Sequence, residues 1–154
     1  MTNKAPMSAL FANMRRDIRL KGEGLVSGVK KIIREESEDA ADRMRHYIST
    51  RPVPGSGKEG RIKTGDMLRS VDFELENFKT IARGRVGYMH NTKEYMRMQE
   101  EGYVDVVHGN KEIPGTYALH DASREMAEIV NDRLQSELGL RGPANVSTQG
   151  GIVL

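Results

Sequence analysis

Arg61-Ile62-Lys63-Thr64-Gly65-Asp66-Met67-Leu68-Arg69-Ser70-Val71 leads out of a loop into two alternating strand patterns, and its reading decides the fold. Thr64 is suited to cap a short helical turn through residues 65–70, with Asp66 favourably placed near the positive end of the turn. Val71, Phe73 and Leu75 then alternate with Asp72, Glu74 and Glu76. That period of two is the mark of a half-buried strand with an acidic outer face. After a turn at Asn77, residues 80–88 read as its antiparallel partner. Gly84 and Gly87 within it suggest a bulge or a close backbone approach. Thr64, Gly65 and Leu68 are therefore taken as a fold-defining turn.

Upstream, residues 51–63 hold two prolines, three glycines and Arg51, Lys58, Arg61 and Lys63 against Glu59 alone. Gly57-Lys58 is not a phosphate loop, which needs Ser or Thr after the Lys and a Gly where Pro52 stands. The segment reads as a basic loop, either solvated or able to touch DNA phosphates or an acidic partner. Before it, Leu25, Val29, Ile32, Ile33, Ala40, Met44, Tyr47 and Ile48 recur at three- and four-residue steps. Charged residues occupy the opposite side, which describes a surface helix with one buried face. Thr50-Arg51-Pro52 ends it, because the residue before a proline avoids helical ψ. Residues 1–24 form a basic lead-in with Leu10, Phe11, Met14 and Ile18 on one helical face. It is expected to be a separate short amphipathic helix ended by Gly22 and Gly24, docked on the body or on a neighbouring subunit.

Downstream, residues 93–101 predict a short helix and residues 103–107 a strand. His108-Gly109-Asn110 turns the chain, and Ile113-Pro114-Gly115 is expected to break it again. Residues 116–138 predict the second long helix, with Leu119, Ala122, Met126, Ile129, Val130, Leu134 and Leu138 on one face and Gly139 as its stop. Residues 139–154 are polar and Gly-rich, a tail expected to be disordered or ordered only on a neighbour. The organisation expected is an arm over 1–24, a single domain over 25–138 and a tail over 139–154.

With 154 residues the chain is the size of one domain and can bury roughly two-thirds of its unfolded surface. Apolar residues make up 37% and charged residues 30%, with no Trp. This suits a small module whose surface needs partners better than an aromatic-lined ligand pocket. A net charge of +2 is too small to imply nucleic-acid binding by electrostatics alone. The lack of cysteine excludes a disulfide framework and thiolate metal sites. No apolar run approaches the ~20 residues that span a bilayer, and no signal-peptide core follows Met1, so a soluble chain is expected.

Catalytic signatures are weak. His46, His90, His108 and His120 lack metal-site spacing, and no serine stands in a Gly-x-Ser-x-Gly context. Glu35-Glu36 and Glu100-Glu101 are adjacent, and helical neighbours point about 100° apart, so neither pair can share one substrate proton. No enzyme activity, metal or cofactor is expected. A sequence-tolerant DNA-binding module using the basic loop is an alternative, opposed by the near balance of acids and bases and by the lack of a stacking stripe.

The order of these pieces resembles the tail-completion, or head–tail joining, proteins of the neck of long-tailed bacteriophages. The resemblance rests on Thr64, Gly65, Leu68, Ser70 and Val71, then Val86 and Gly87, then Tyr95, Glu100 and Gly102, then Leu119 and Ala122. It covers about residues 25–138, and order and spacing carry it rather than any single motif. The chain departs from the pattern at Glu100-Glu101-Gly102-Tyr103, where the family more often has Thr after the Gly, and in its long polar tail. The resemblance implies an α+β fold, and with the residue pattern the fold expected is α+β, a small antiparallel sheet packed against two long helices, with extended N- and C-terminal arms. It also implies a non-enzymatic virion protein, assembled in the host cytoplasm. Several copies would form a homo-oligomeric ring, expected to be a hexamer, between tail tube and head connector. Its partners would be other copies of itself and the adjacent tail-tube, tail-terminator and head-connector proteins. Genomic DNA would pass through the lumen without tight binding, and no membrane would be involved. Tail terminators that cap the tail tube look similar and remain an alternative. The interface or DNA-facing residues expected are Arg51, Lys58, Arg61 and Lys63 on the basic loop and Asp72, Glu74 and Glu76 on the acidic strand face, an opposite-signed pair suited to a head-to-tail ring contact.

Overall fold

The computed structural model describes residues 7–52, 65–77, 82–90 and 94–140, with side chains from residue 21 onward. Its elements are α1 (Met7–Thr50), α2 (Asp66–Ser70), β1 (Val71–Asn77), β2 (Ala82–Tyr88), α3 (Glu94–Glu101), β3 (Gly102–Asp105), β4 (Lys111–Pro114) and α4 (Ala118–Leu138). The architecture is α+β, as expected: two long helices and two separate two-stranded antiparallel sheets, β1–β2 and β3–β4.

The helical period of residues 25–49 is realised in α1, except that Leu25 is exposed because α4 ends against Gly28; the expected break at Gly22 and Gly24 is not found. One helix runs unbroken from Met7 to Thr50. A glycine ends a helix by taking a left-handed φ, and neither Gly22 nor Gly24 does so; each therefore only weakens the helix, by about 1 kcal/mol. Gly139 does end α4. Its φ is +65°, and the amides of Gly139 and Leu140 donate back to the carbonyls of Gln135 and Leu134. Thr50 closes α1 immediately before the Arg51-Pro52 pair.

The two long helices pack antiparallel. Gly28 faces Leu138, Arg133 reaches Glu35 and Glu36, and Tyr47 meets Glu125, so position numbers rise along α1 as they fall along α4. Ile32, Ala40, Met44 and Ile48 of α1 are buried with Ala118, Leu119, Ala122, Met126 and Val130 of α4 in one core. The alanines among them let the backbones come close.

The β1–β2 hairpin lies against α1. Its pairing runs one-to-one from Val71↔Tyr88 to Asn77↔Ala82, so the register holds no bulge. The glycine in β2 instead marks a close approach. A Cβ on Gly84 would stand 2.1 Å from Ser37 Oγ and 3.0 Å from Ile33 Cγ2. Val71, Val86 and Tyr88 complete the core on this side. The turn entering β1 is α2, whose N-cap is Gly65 at φ +74°. Leu68 packs against the core and the Ser70 carbonyl accepts the Met89 amide. The N-cap is thus Gly65 and not Thr64 as expected, the left-handed φ falling on the glycine; Thr64 itself lies outside the described residues, as do Lys58, Arg61, Lys63 and the tail over 141–154.

Two further expectations are corrected. Residues 111–114 do not break the chain but form β4, which pairs with β3 from Gly102↔Pro114 to Asp105↔Lys111. Pro114 is tolerated because it sits at the end of a two-stranded sheet. Val106 and Val107, expected to extend β3, lie in the turn, because the Asp105 carboxylate accepts the amides of Val107 and His108 and bends the chain there.

Candidate interaction surface

α3 and the β3–β4 hairpin project from the start of α4, and one buried acid helps to hold them there. Glu100, in the last turn of α3, is 5% exposed. One of its oxygens accepts the amides of Leu119 at 2.7 Å and His120 at 3.3 Å; the other accepts the hydroxyls of Tyr88 and Thr116, each at 3.1 Å. The first two are the orphan N–H groups of α4, whose own N-cap, Tyr117, provides no side-chain cap. Glu100 thus does from another element what an N-cap residue does locally, and its charge sits at the positive end of the α4 dipole. The carbonyls of Gln99 and Glu100 also accept the amides of Thr116 and Tyr117. Gly115 makes this approach possible, since a Cβ there would stand 2.0 Å from the Glu100 carbonyl oxygen. Nothing local marks Glu100 as a cap, because the amides it accepts lie 19 and 20 positions along the chain.

Beyond this anchor the hairpin is exposed on both faces. Val104, Val106 and Val107 lie open, the last two at 71% and 82% exposure, and Tyr103, Tyr95, Met98 and Tyr117 are each exposed as well. Its turn is shaped by Asp105, which also pairs with His108 Nδ1 at 2.8 Å; that hydrogen bond holds the Asp105 carboxyl below its ordinary pKa. A two-stranded hairpin is marginal by itself, and three valines exposed within four positions of one hairpin make it the candidate interaction surface.

The acidic face of β1 is found where the alternation put it, but much of its charge is matched within the chain. Glu76 pairs with Arg83 and Arg85 across the hairpin, at 3.1 and 3.5 Å. Asp72 meets His90 at 2.6 Å, and that hydrogen bond lowers its pKa. Glu74 stands exposed, opposite Arg85 in register. Arg51 likewise serves the fold. Its guanidinium lies 4.1 Å over the Tyr47 ring, donates to the Thr116 carbonyl at 2.6 Å and pairs with Asp121 at 2.8 Å. The opposite-signed pair of patches therefore reduces, among the described residues, to an acidic strand largely compensated by its neighbour and an arginine committed to α4.

The charged side of the α1–α4 seam is a second arrangement that sequence spacing did not reveal. Arg133 donates to Glu35, Glu36 and Glu137 at 2.9, 2.9 and 2.6 Å, and the three carboxylates, Glu137 foremost, stabilise its charged form still further. Adjacent Glu35 and Glu36 do converge here, but on a cation of the same fold. Arg43 lies between Glu36 and Glu125 at 3.8 and 3.7 Å, and the Tyr47 hydroxyl donates to Glu125 at 2.7 Å. Among the described residues no group of three or more His, Asp or Glu has the arrangement to hold a metal ion, and no helix is long and apolar enough to cross a membrane. No known family, curated protein or solved structure matches this chain.

Proposed function

We propose that this chain is a structural subunit of the phage neck, a tail-completion or head–tail joining protein that forms a ring around the DNA path between tail tube and head connector. The observation that carries the reading is the anchored apolar hairpin. Glu100 and Gly102, on which the resemblance partly rests, are spent on holding this hairpin at the start of α4 rather than on lining a pocket. Val104, Val106 and Val107 at its end suit burial against another subunit or a neighbouring virion protein. The α+β architecture, with α4 closing over α1, is also what the resemblance implies.

Electron microscopy of lysates from a phage lacking this gene, with a complemented control, tests the proposal. Filled heads beside separate tails of normal length support a joining role. Tails of uncontrolled length point instead to the tail-terminator alternative, and intact infectious particles overturn the neck reading.

A further inference from the structure

The ladder of the β1–β2 hairpin fixes which backbone groups are left for another strand. The Met89 amide donates to the Ser70 carbonyl, one step beyond the Val71↔Tyr88 pair. Antiparallel pairs alternate between hydrogen-bonded and not, so Asp72↔Gly87, Glu74↔Arg85 and Glu76↔Arg83 are the bonded pairs. The amides and carbonyls of Val71, Phe73 and Leu75, and of Gly84 and Val86, therefore point out of the two-stranded sheet. Near the base of β1 the chain covers its own edge. Arg45 donates to the Val71 carbonyl at 2.7 Å, and the Asp72 carboxylate accepts the Phe73 amide at 2.8 Å. Farther out, nothing among the described residues bonds the outward backbone groups of Leu75 or Gly84. Phe73 and Leu75, on the side facing α1, are only half-buried there. An open edge of this kind is a template for a further strand.

The charges on the outer face decide which strand fits. β1 carries Asp72, Glu74 and Glu76 there, and β2 carries Arg83 and Arg85. Glu76 meets both arginines within the chain, yet their side chains stay 54% and 47% exposed. Glu74, exposed in the middle of β1, has no ion-pair partner among the described residues. Two β1 edges brought together would set acid against acid, and two β2 edges arginine against arginine. Like charges directly opposite destabilise a sheet, so of these pairings β1 against β2 is the complementary one.

We propose that β1 of one copy of this chain pairs antiparallel with β2 of a second copy, with Leu75 opposite Gly84 and Glu74 opposite Arg85. This register keeps the faces in step, apolar residues on the helix side and charges on the outer side. The contact joins two different edges, so every added copy leaves one β1 and one β2 edge open, and assembly continues until a ring closes. The pairing is independent of the neck reading, although a closed ring would serve it.

Sedimentation equilibrium of the whole chain, from micromolar to sub-millimolar concentration, should give a mass rising above twice the 17.3 kDa of one copy. Glu74→Arg and Arg85→Glu should each weaken association by about tenfold or more, because like charges then face each other across the contact. Mixing the two variants should restore association, since each strand then finds an opposite charge; a mere loss of folding would not be rescued in this way. Glu38→Arg, exposed on α1, should change nothing. The native chain has no cysteine, and positions 74 and 85 of adjacent copies would form a non-hydrogen-bonded pair with Cα atoms about 4.5 Å apart, within disulfide reach. A mixture of Glu74→Cys and Arg85→Cys chains, oxidised in air, should therefore link 74 to 85 between copies. A mass that stays at one copy or stops at two, association that neither charge reversal weakens, or links only of 74 to 74 and 85 to 85 would each overturn the proposal. None of these results bears on whether the protein joins heads to tails.

Discussion

Replacing Glu100 by Ala should be among the most damaging single changes in this protein, although the residue sits in a helix of only eight residues. The substitution removes the acceptor for two backbone amides of α4 and for the hydroxyls of Tyr88 and Thr116. Leu119, Thr116 and Tyr88 are buried, so water does not readily replace the lost partner. Each buried donor left unsatisfied costs about 1–3 kcal/mol, and loss of a helix cap about 1 kcal/mol. The four bonds share one carboxyl and are not additive, which puts the expected loss at about 3–4 kcal/mol. Against a total stability of about 5–15 kcal/mol this is large, and it corresponds to a fall in Tm of roughly 6–16 °C for a chain of this size. Glu100→Gln keeps the shape and one good acceptor but turns an amide donor toward other donors, so it should lie between Ala and wild type. The assay is urea unfolding followed by circular dichroism, with the slope required to stay constant so that the midpoint reports stability alone. Glu101→Ala, next in sequence but exposed, serves as the control and should stay within about 0.5 kcal/mol. Glu100→Ala changing stability no more than Glu101→Ala would refute the view that this carboxyl caps α4.

Gly84→Ala should destabilise by about 1–3 kcal/mol through the clash with Ser37, and adding Ser37→Ala should recover part of that loss; a double-mutant cycle by urea unfolding measures the coupling. Arg51→Ala should cost about 2 kcal/mol by the same measurement, because it breaks a charged hydrogen bond and a cation–π contact, whereas a purely surface role would leave stability unchanged. The folded-state pKa of Asp72 is depressed by His90, so its contribution is present above the ordinary carboxyl range and is lost as pH falls through the depressed value. Melting curves between pH 6 and pH 2 should therefore show a smaller acid loss in Asp72→Asn than in wild type. Val106→Asp and Val107→Asp, at the exposed turn, should leave Tm nearly unchanged but abolish complementation of the gene-deleted phage; full complementation would remove the hairpin from the assembly interface.

What the sequence by itself determined was the local periodicity and punctuation of this protein. The three-and-four step of Leu25 to Ile48, the alternation of Val71 to Glu76 and the stop at Gly139 arise from contacts within a few residues, and each is found in the structure. Gly22 and Gly24 show the limit of that reasoning. A glycine permits the left-handed turn that ends a helix but does not compel it, and Gly139 turns where those two do not. The strand at Lys111–Pro114 was illegible because its pairing with β3 outweighs a local breaker signal. Only the tertiary structure decided what the charged residues do. Glu100 caps a helix 19 positions away, as seen in its bond to Leu119, and Arg133 gathers Glu35 and Glu36 from 98 and 97 positions away. Arg51 leaves an apparent basic loop to bind α4. A charge acts through whichever groups the fold brings within a few ångströms of it, so its partners are decided by packing, whereas the period that builds a helix or strand is written residue by residue.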